Sequence, residues 1–313
     1  MLDLKDKKIL VTGGGGFLGT QIVRTLTARG VPETNIFVPT VPEFDLRRRA
    51  DCERAVKGND LMIHLAANVG GIGYNQANPG ALFYDNIVMG MHVLEAAHKA
   101  GMEKSLILGT ICAYPKFTPV PFREETLWNG YPEETNAPYG LAKKALLVGA
   151  QAYRSEFNMN VIYLLPVNLY GPGDTFDPAR AHVIPDLIRK MHAAKIKGES
   201  YVEVWGTGRP TREFLYVEDA AEGIVRALES YDKGDPVNLG AGREISIKDL
   251  VAAIARLMDF TGEIRWDRTK PDGQPRRMLD ISRAKAEFDF EAKTDFEEGL
   301  KKTIAWYVKN IAK

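Results

Sequence analysis

The stretch KILVTGGGGFLG, residues 8–19, decides how the chain is read. Its first half is a short apolar run of strand-forming residues that stops at a cluster of glycines. Its second half opens FLGTQIVRTLTARG, where Phe17, Leu18, Ile22, Val23 and Leu26 recur at helical spacing and Gly30 supplies a stop. A strand, a glycine turn and a helix in that order put Gly13, Gly16 and Gly19 at the helix entrance in a GxxGxxG pattern. Glycine there lets the backbone turn tightly and approach a pyrophosphate, whose charge is met by free N–H groups at the helix N-terminus. In this context the motif predicts a dinucleotide site.

Outward from that stretch, short apolar runs alternate with helical patterns. NIFVPT (35–40), DLMIHLAA (60–67), KSLILGT (104–110) and NVIYLLPVN (160–168) read as strands. LRRRADCERAVKG (46–58), ALFYDNIVMGMHVLEAAHKAG (81–101) and YGLAKKALLVGAQAYRSEF (139–157) read as helices. Parallel strands need crossover connections, so the alternation predicts an α/β, Rossmann-type, doubly wound parallel sheet. The second half is less regular. The helical patterns in HVIPDLIRKMHAAKI, VEDAAEGIVRALES and IKDLVAAIARLMDF alternate with the strands VEVWG and PVNLG. They predict a smaller C-terminal α/β substrate lobe. The expected division is a dinucleotide-binding domain over 1–169, with about 236–241 returning to its sheet, and a second lobe over 170–235 and 242–313.

Bulk properties narrow the function classes. Among 313 residues, Lys+Arg and Asp+Glu are both 41, which gives no argument for a nucleic-acid or membrane partner. No apolar run approaches the ~20 residues of a spanning helix. The charged start MLDLKDKKIL runs into a strand and does not read as a signal peptide. Two distant cysteines, Cys52 and Cys112, fit neither a disulfide framework nor a metal site. The expectation is a cytoplasmic protein without a bound metal.

APYGLAKKA contains Tyr139 and Lys143, one helical turn apart and therefore on one face. An ammonium beside a phenol favours the phenolate, so the pair is expected to bring the tyrosine from its usual pKa of ~10 towards working pH. Such a tyrosine can protonate an alkoxide as hydride arrives. Thr110, ending a strand, supplies a hydroxyl for the reacting carbonyl. Cys112 follows in GTICAYPK (109–116) and reads from the residues alone either as a small core side chain or as an acid/base. His64, in an apolar strand, reads as core, and His92, His98 and His192 as structural.

These stretches, with AANVGGI (66–72), NLYGPGD (168–174), HVIPDLIRK (182–190), VWGTGRPTREFLYVEDAA (204–221) and KPDGQPRRMLD (270–280), resemble the extended short-chain dehydrogenase/reductase family. Within it, they resemble the GDP-L-fucose synthases. The resemblance spans nearly the whole chain. It implies NADP(H)-dependent 3,5-epimerisation and 4-reduction of GDP-4-keto-6-deoxy-D-mannose to GDP-L-fucose by a homodimer. Catalysis then falls to Thr110, Cys112, Tyr139, Lys143 and His182, with Cys112 and His182 as the epimerising base and acid. Cofactor contacts are implied at Gly13, Gly16, Phe17, Leu18 and Gly19, then at Asp45, Leu46, Leu65, Ala66 and Ala67. Others fall at Tyr139, Lys143, Pro166, Asn168, Leu169 and His182. Substrate contacts are implied at Asn168, Lys190, Trp205, Arg212 and Arg277.

Departures from the family pattern keep alternatives open. Thr110 stands where serine is usual. Gly15 and Pro39 stand where arginines normally read the NADP 2′-phosphate, which leaves NAD(H) as an alternative cofactor and Arg47 or Arg48 as alternative phosphate readers. The segment FTPVPFREETLWNGYPEETN, between Lys116 and Ala137, leaves room for a related 4-keto sugar such as a heptose. An epimerase-only or reductase-only enzyme is the nearest rival, and a non-catalytic nucleotide-binding regulator a more distant one.

Overall fold

The computed structural model describes residues 1–312. β1 (Ile9–Thr12) enters the glycine turn and α1 (Phe17–Ala28) leaves it, followed by β2 (Ile36–Phe37), α2 (Arg49–Val56) and β3 (Leu61–His64). Next come α3 (Ile72–Ala77), α4 (Pro79–Lys99), β4 (Lys104–Leu108), α5 (Ala137–Phe157) and β5 (Val161–Pro166). β1, β3, β4 and β5 are buried along their whole length, the pattern of strands covered on both faces by helices. α5 stops where Asn158 turns left-handed at φ 54° and closes the last turn.

β6 (Asn168–Tyr170), α6 (Val183–Lys197), β7 (Tyr201–Trp205), β8 (Thr211–Tyr216), α7 (Val217–Ser230) and β9 (Val237–Leu239) follow. The chain ends with β10 (Glu244–Ser246), α8 (Ile247–Leu257), β11 (Glu263–Asp267), α9 (Ser282–Phe288) and α10 (Phe296–Asn310). Ser246 and Asp295 cap α8 and α10 by accepting first-turn N–H groups. No helix among the described residues is long and apolar enough to cross a membrane.

The main sheet is a doubly wound, Rossmann-type parallel sheet with strand order β2-β1-β3-β4-β5-β9. The chain winds from β1 to β2 on one side and through β3, β4 and β5 on the other. The crevice beyond the C-terminal ends of β1 and β3 is therefore where a ligand fits. Two small sheets, β10-β8-β6 and β11-β7, accompany a second apolar core containing Ile188, Met191, Phe214, Leu250, Ile254 and Tyr307.

Packing departs from the expected division in one respect. α7 and α9, expected in the second lobe, bury Ala220, Ile224, Leu228, Ala284 and Phe288 in the core of the main sheet. The reason is topological. β9 adds to the sheet in parallel beside β5, and α7 is the crossover that such a strand requires. The run expected as one strand over 160–168 also divides, because Asn168–Tyr170 leaves the main sheet to pair with β8.

Candidate active site

The glycine turn is built as its pattern suggests. Gly13 has φ 72°, and a Cβ there would sit 2.9 Å from the Ala66 amide nitrogen, so the turn lies tight against the end of β3. Above Gly15 there is open space, and Gly16 caps α1 with no side chain claiming the first-turn N–H groups. An exposed, uncapped helix entrance beside a glycine cradle fits the pyrophosphate of a dinucleotide.

A cavity of about 1070 Å³ runs from this turn to the second lobe. That is the upper end of the size range of ligand sites, roughly 300–1,000 Å³, and leaves room for two ligands side by side. It brings together all five expected catalytic residues, Thr110, Cys112, Tyr139, Lys143 and His182. Gly13, Gly16, Phe17, Leu18 and Gly19 line the glycine end. Leu65, Ala66, Ala67, Pro166, Asn168 and Leu169 line the strand ends. Lys190, Trp205, Arg212 and Arg277 line the second-lobe side.

Asp45 and Leu46 do not reach the cavity wall. Asp45 accepts two hydrogen bonds from the Arg47 guanidinium, at 2.9 and 2.8 Å, and this pairing holds its carboxyl down at about 2. Leu46 is buried, and its carbonyl accepts from the Cys52 thiol. The short β2 explains the difference: the chain leaves the sheet at Phe37, and an irregular segment carries 45–46 away from the crevice.

Four of the expected catalytic residues sit on two adjoining elements. Thr110 caps a single helical turn, Ile111–Ala113, with its hydroxyl oxygen accepting from the Cys112 N–H at 3.1 Å. Across from it, α5 presents Tyr139 and Lys143, both buried. Lys143 Nζ donates to the Leu108 carbonyl at 3.0 Å, and burial pushes the ammonium down to about 8. The expectation that Lys143 lowers the Tyr139 pKa does not hold. Burial raises the phenol above its ordinary value and the nearby Cys112 sulfur adds to this, while only the Thr110 hydroxyl acts in the opposite direction. Desolvation of the buried phenolate is the largest cause, and the Lys143 ammonium is directed at the Leu108 carbonyl.

His182 is the N-cap of α6 and uses no side-chain cap bond, so its ring is free. Water reaches it through the cavity, yet the surrounding walls desolvate the imidazolium and hold its pKa below the ordinary histidine value. His64 is fully buried, bonded to Thr12 Oγ1 at 2.8 Å, and held down to about 3 by burial and by the Lys143 charge.

The second-lobe side is cationic. Arg212 is 9% exposed and donates only to backbone carbonyls, Thr211 at 2.7 Å and Asp272 at 3.1 Å. Burial and the neighbouring Arg277 bring it down to about 9. Arg277 is 7% exposed and donates to Gln274 Oε1 at 2.7 Å and towards Cys112 Sγ at 3.6 Å. Neither guanidinium forms an ion pair with a carboxylate among the described residues. Buried cations without counter-ions are costly, so this wall suits an anionic ligand. Lys190 is less available, because its ammonium is paired with Asp186 at 2.9 Å. The Asn168 amide is engaged too, donating to the Glu213 carbonyl at 3.0 Å. Trp205 remains 44% exposed, with its ring edge facing Gly73 and Lys270 5.2 Å above its face.

Several wall residues escaped the sequence reading. Asn136 donates to Glu133 at 2.7 Å and accepts from Asn75 at 2.9 Å, forming a polar brace at the α5 entrance. Asp174 lines the cavity as a buried carboxyl whose Oδ2 has no partner among the described residues, and burial raises it to about 7. Gln274 is 2% exposed and bonded on both sides of the site. A glutamine between two prolines and a glycine carries no periodic signal, and Asp174 sits in a glycine-rich turn that reads as a crossing between lobes.

Comparison with known proteins agrees with this architecture. A model of the NAD dependent epimerase/dehydratase family matches residues 9–240. The sequence is 40% identical over 309 residues to GDP-L-fucose synthase 1 of Arabidopsis thaliana, covering 98% of this chain and 95% of that one. A GDP-6-OMe-4-keto-L-xylo-heptose reductase from C. jejuni superposes with a TM-score of 0.92 at 25% identity, over 97% of this chain and 98% of the other. A GDP-L-fucose synthetase from Naegleria fowleri, solved bound to NADP, superposes with a TM-score of 0.87 at 28% identity, over 98% and 96% of the two chains. With a glycine cradle at the end of β1 and a tyrosine–lysine pair one turn apart on α5, the chain belongs to the NAD dependent epimerase/dehydratase family.

Proposed function

We propose that the protein is an NADP(H)-dependent enzyme that inverts C3 and C5 of GDP-4-keto-6-deoxy-D-mannose and reduces C4 to give GDP-L-fucose. The observation that carries this reading is that two separate proton-transfer sets, Cys112 with His182 and Tyr139 with Lys143, line one cavity between a dinucleotide cradle and a buried cationic wall. A reductase alone needs only the second set. A carbon epimerase needs a proton removed from one face and returned to the other, which a thiol and an imidazole can do near neutral pH.

In this reading Arg212 holds the substrate pyrophosphate, with Trp205 beside the base. Thr110 and Tyr139 hold the C4 carbonyl oxygen by hydrogen bonds, which strengthen as that oxygen becomes an enolate. Cys112 takes the proton from the ring carbon, and the C–H electron pair moves to the C4 oxygen. His182 delivers a proton to the opposite face. When bound, a nicotinamide cofactor would supply hydride chemistry at C4, and Tyr139 would give the new alkoxide its proton. Lys143, one turn along α5, would restore that proton.

The fucose synthases among its relatives and the NADP-bound neighbour support this assignment. Neither Arg47, which is bound to Asp45, nor Arg48 lines the cavity, so the preference for NADP rests on the relatives. The 1–169 region then holds the cofactor and the second lobe the nucleotide sugar. Two copies would pair through α4 and α5, whose Phe83, Tyr84, Val148 and Phe157 are exposed. A cytoplasmic setting would keep Cys52 and Cys112 as the free thiols they are.

A second reading, reduction of a GDP-linked 4-keto heptose, is favoured by the closeness of the fold to the heptose reductase. The test is to supply both ketosugars with NADPH and with NADH. GDP-L-fucose formed from the 6-deoxy sugar supports the first reading. Turnover of the heptose alone supports the second, and turnover of neither removes both.

A further inference from the structure

Gln274 ties the segment that carries Cys112 to Arg277. Its side-chain amide donates to the Pro115 carbonyl at 3.1 Å and the Lys116 carbonyl at 2.9 Å, both in the segment that carries Cys112. Its oxygen accepts from Arg277 Nε at 2.7 Å. With its Nε held, the Arg277 guanidinium presents Nη1 to Cys112 Sγ at 3.6 Å. Cys112 and Arg277 are 165 residues apart in the chain, and Gln274 fixes them to one another.

We propose that Arg277 is an electrostatic partner of the Cys112 thiolate and that Gln274 is the positioning residue that aims it. Guanidinium nitrogens only donate, and a neutral thiol is a weak acceptor, so this contact gains most when the sulfur is anionic. Arg277 is buried and has no carboxylate partner among the described residues, which leaves its Nη1 facing Cys112 Sγ. During epimerisation the thiolate takes a proton from carbon and becomes a thiol, while the C–H pair passes to the C4 oxygen. The His182 imidazolium gives its proton to the opposite face and becomes neutral. Solvent then removes the proton from the thiol and returns one to the imidazole. Arg277 favours the deprotonated start and end of that cycle. The proposal rests on the epimerase reading for its catalytic meaning, but the contact itself can be tested without substrate.

The two cysteines make the test clean, because Cys52 is fully buried and Cys112 lines the cavity. Iodoacetamide alkylation of the intact protein at neutral pH, followed by peptide mass analysis, reports Cys112. Arg277→Met should slow alkylation roughly tenfold through loss of the thiolate partner, Gln274→Leu should slow it less, and Arg277→Lys should restore much of the rate. Any widening of the cavity would speed alkylation, so the sign separates charge from access. Melting curves of all three variants keep a folding defect distinguishable. With substrate, kcat for epimerisation should fall in Arg277→Met and Gln274→Leu. Alkylation at the wild-type rate in Arg277→Met and Gln274→Leu, with only KM raised, would overturn the proposal and leave Arg277 a substrate grip. Loss of the wild-type epimerase activity itself would count against the broader reading instead.

Discussion

Gly140 on α5 packs directly on the Cys112 carbonyl, so closely that a Cβ at 140 would collide with that oxygen. The helix that carries Tyr139 and Lys143 is thereby pressed onto the turn that carries Thr110 and Cys112. Under the proposed function, hydride chemistry and epimerisation then share one joint.

Gly140→Ala should therefore damage both activities together. Backbone must shift to admit the methyl group, at a cost of about 1–3 kcal/mol in stability. Thermal melting and separate assays of deuterium exchange and cofactor oxidation check this. Loss of one activity alone would mean that the joint is not shared.

Tyr139→Phe and Cys112→Ser should differ in which step they damage most. The first lowers C4 reduction by roughly 10²–10⁴-fold and slows exchange of ring protons less, because Thr110 still holds the C4 oxygen; the second suppresses exchange by a similar factor and spares cofactor binding. Mass analysis of recovered sugar nucleotide, with cofactor titration, distinguishes them.

Reduction should weaken as pH rises through about 8, where buried Lys143 loses its proton. The sign follows from the direction of the shift: burial lowers this group, so it is charged below that value and neutral above it. A pH–rate profile of the reductive half, at saturating cofactor and sugar, should show this descending limb, and Lys143→Met should remove it along with most of the rate.

Asp174 carries a stability cost. Its carboxyl is raised from 3.8 to about 7, so between those values the folded protein holds a proton that the unfolded chain has released. Stability contributed by this group is full below about 3.8 and falls as pH rises towards 7. At neutral pH, Asp174→Asn should raise the melting temperature of the ligand-free protein by a few degrees, equivalent to a few kcal/mol at most. An unchanged or lower melting temperature in calorimetry would contradict this.

Much of this architecture was legible in local sequence pattern. The glycine turn, the α/β alternation and the one-turn spacing of Tyr139 and Lys143 are short-range features fixed by backbone geometry. Arg212 was found by resemblance, and its burial without a carboxylate partner supplied the physical reason. What escaped depended on long-range contacts. The short strands β10 and β11 are only partly buried, so they lack a continuous apolar run. The rise of Tyr139 comes from its burial, which spacing alone does not set. Asp45 was displaced by the two-residue β2, and the Gln274–Arg277–Cys112 arrangement exists only once the two ends of the chain meet.

The most direct measurement is to incubate the protein with NADPH and GDP-4-keto-6-deoxy-D-mannose in deuterated water and locate deuterium in the product by NMR. The account predicts GDP-L-fucose carrying solvent deuterium at C3 and C5, with one cofactor oxidised per sugar. Cofactor oxidation with no deuterium at either carbon would contradict it, leaving Cys112 and His182 without the role assigned to them.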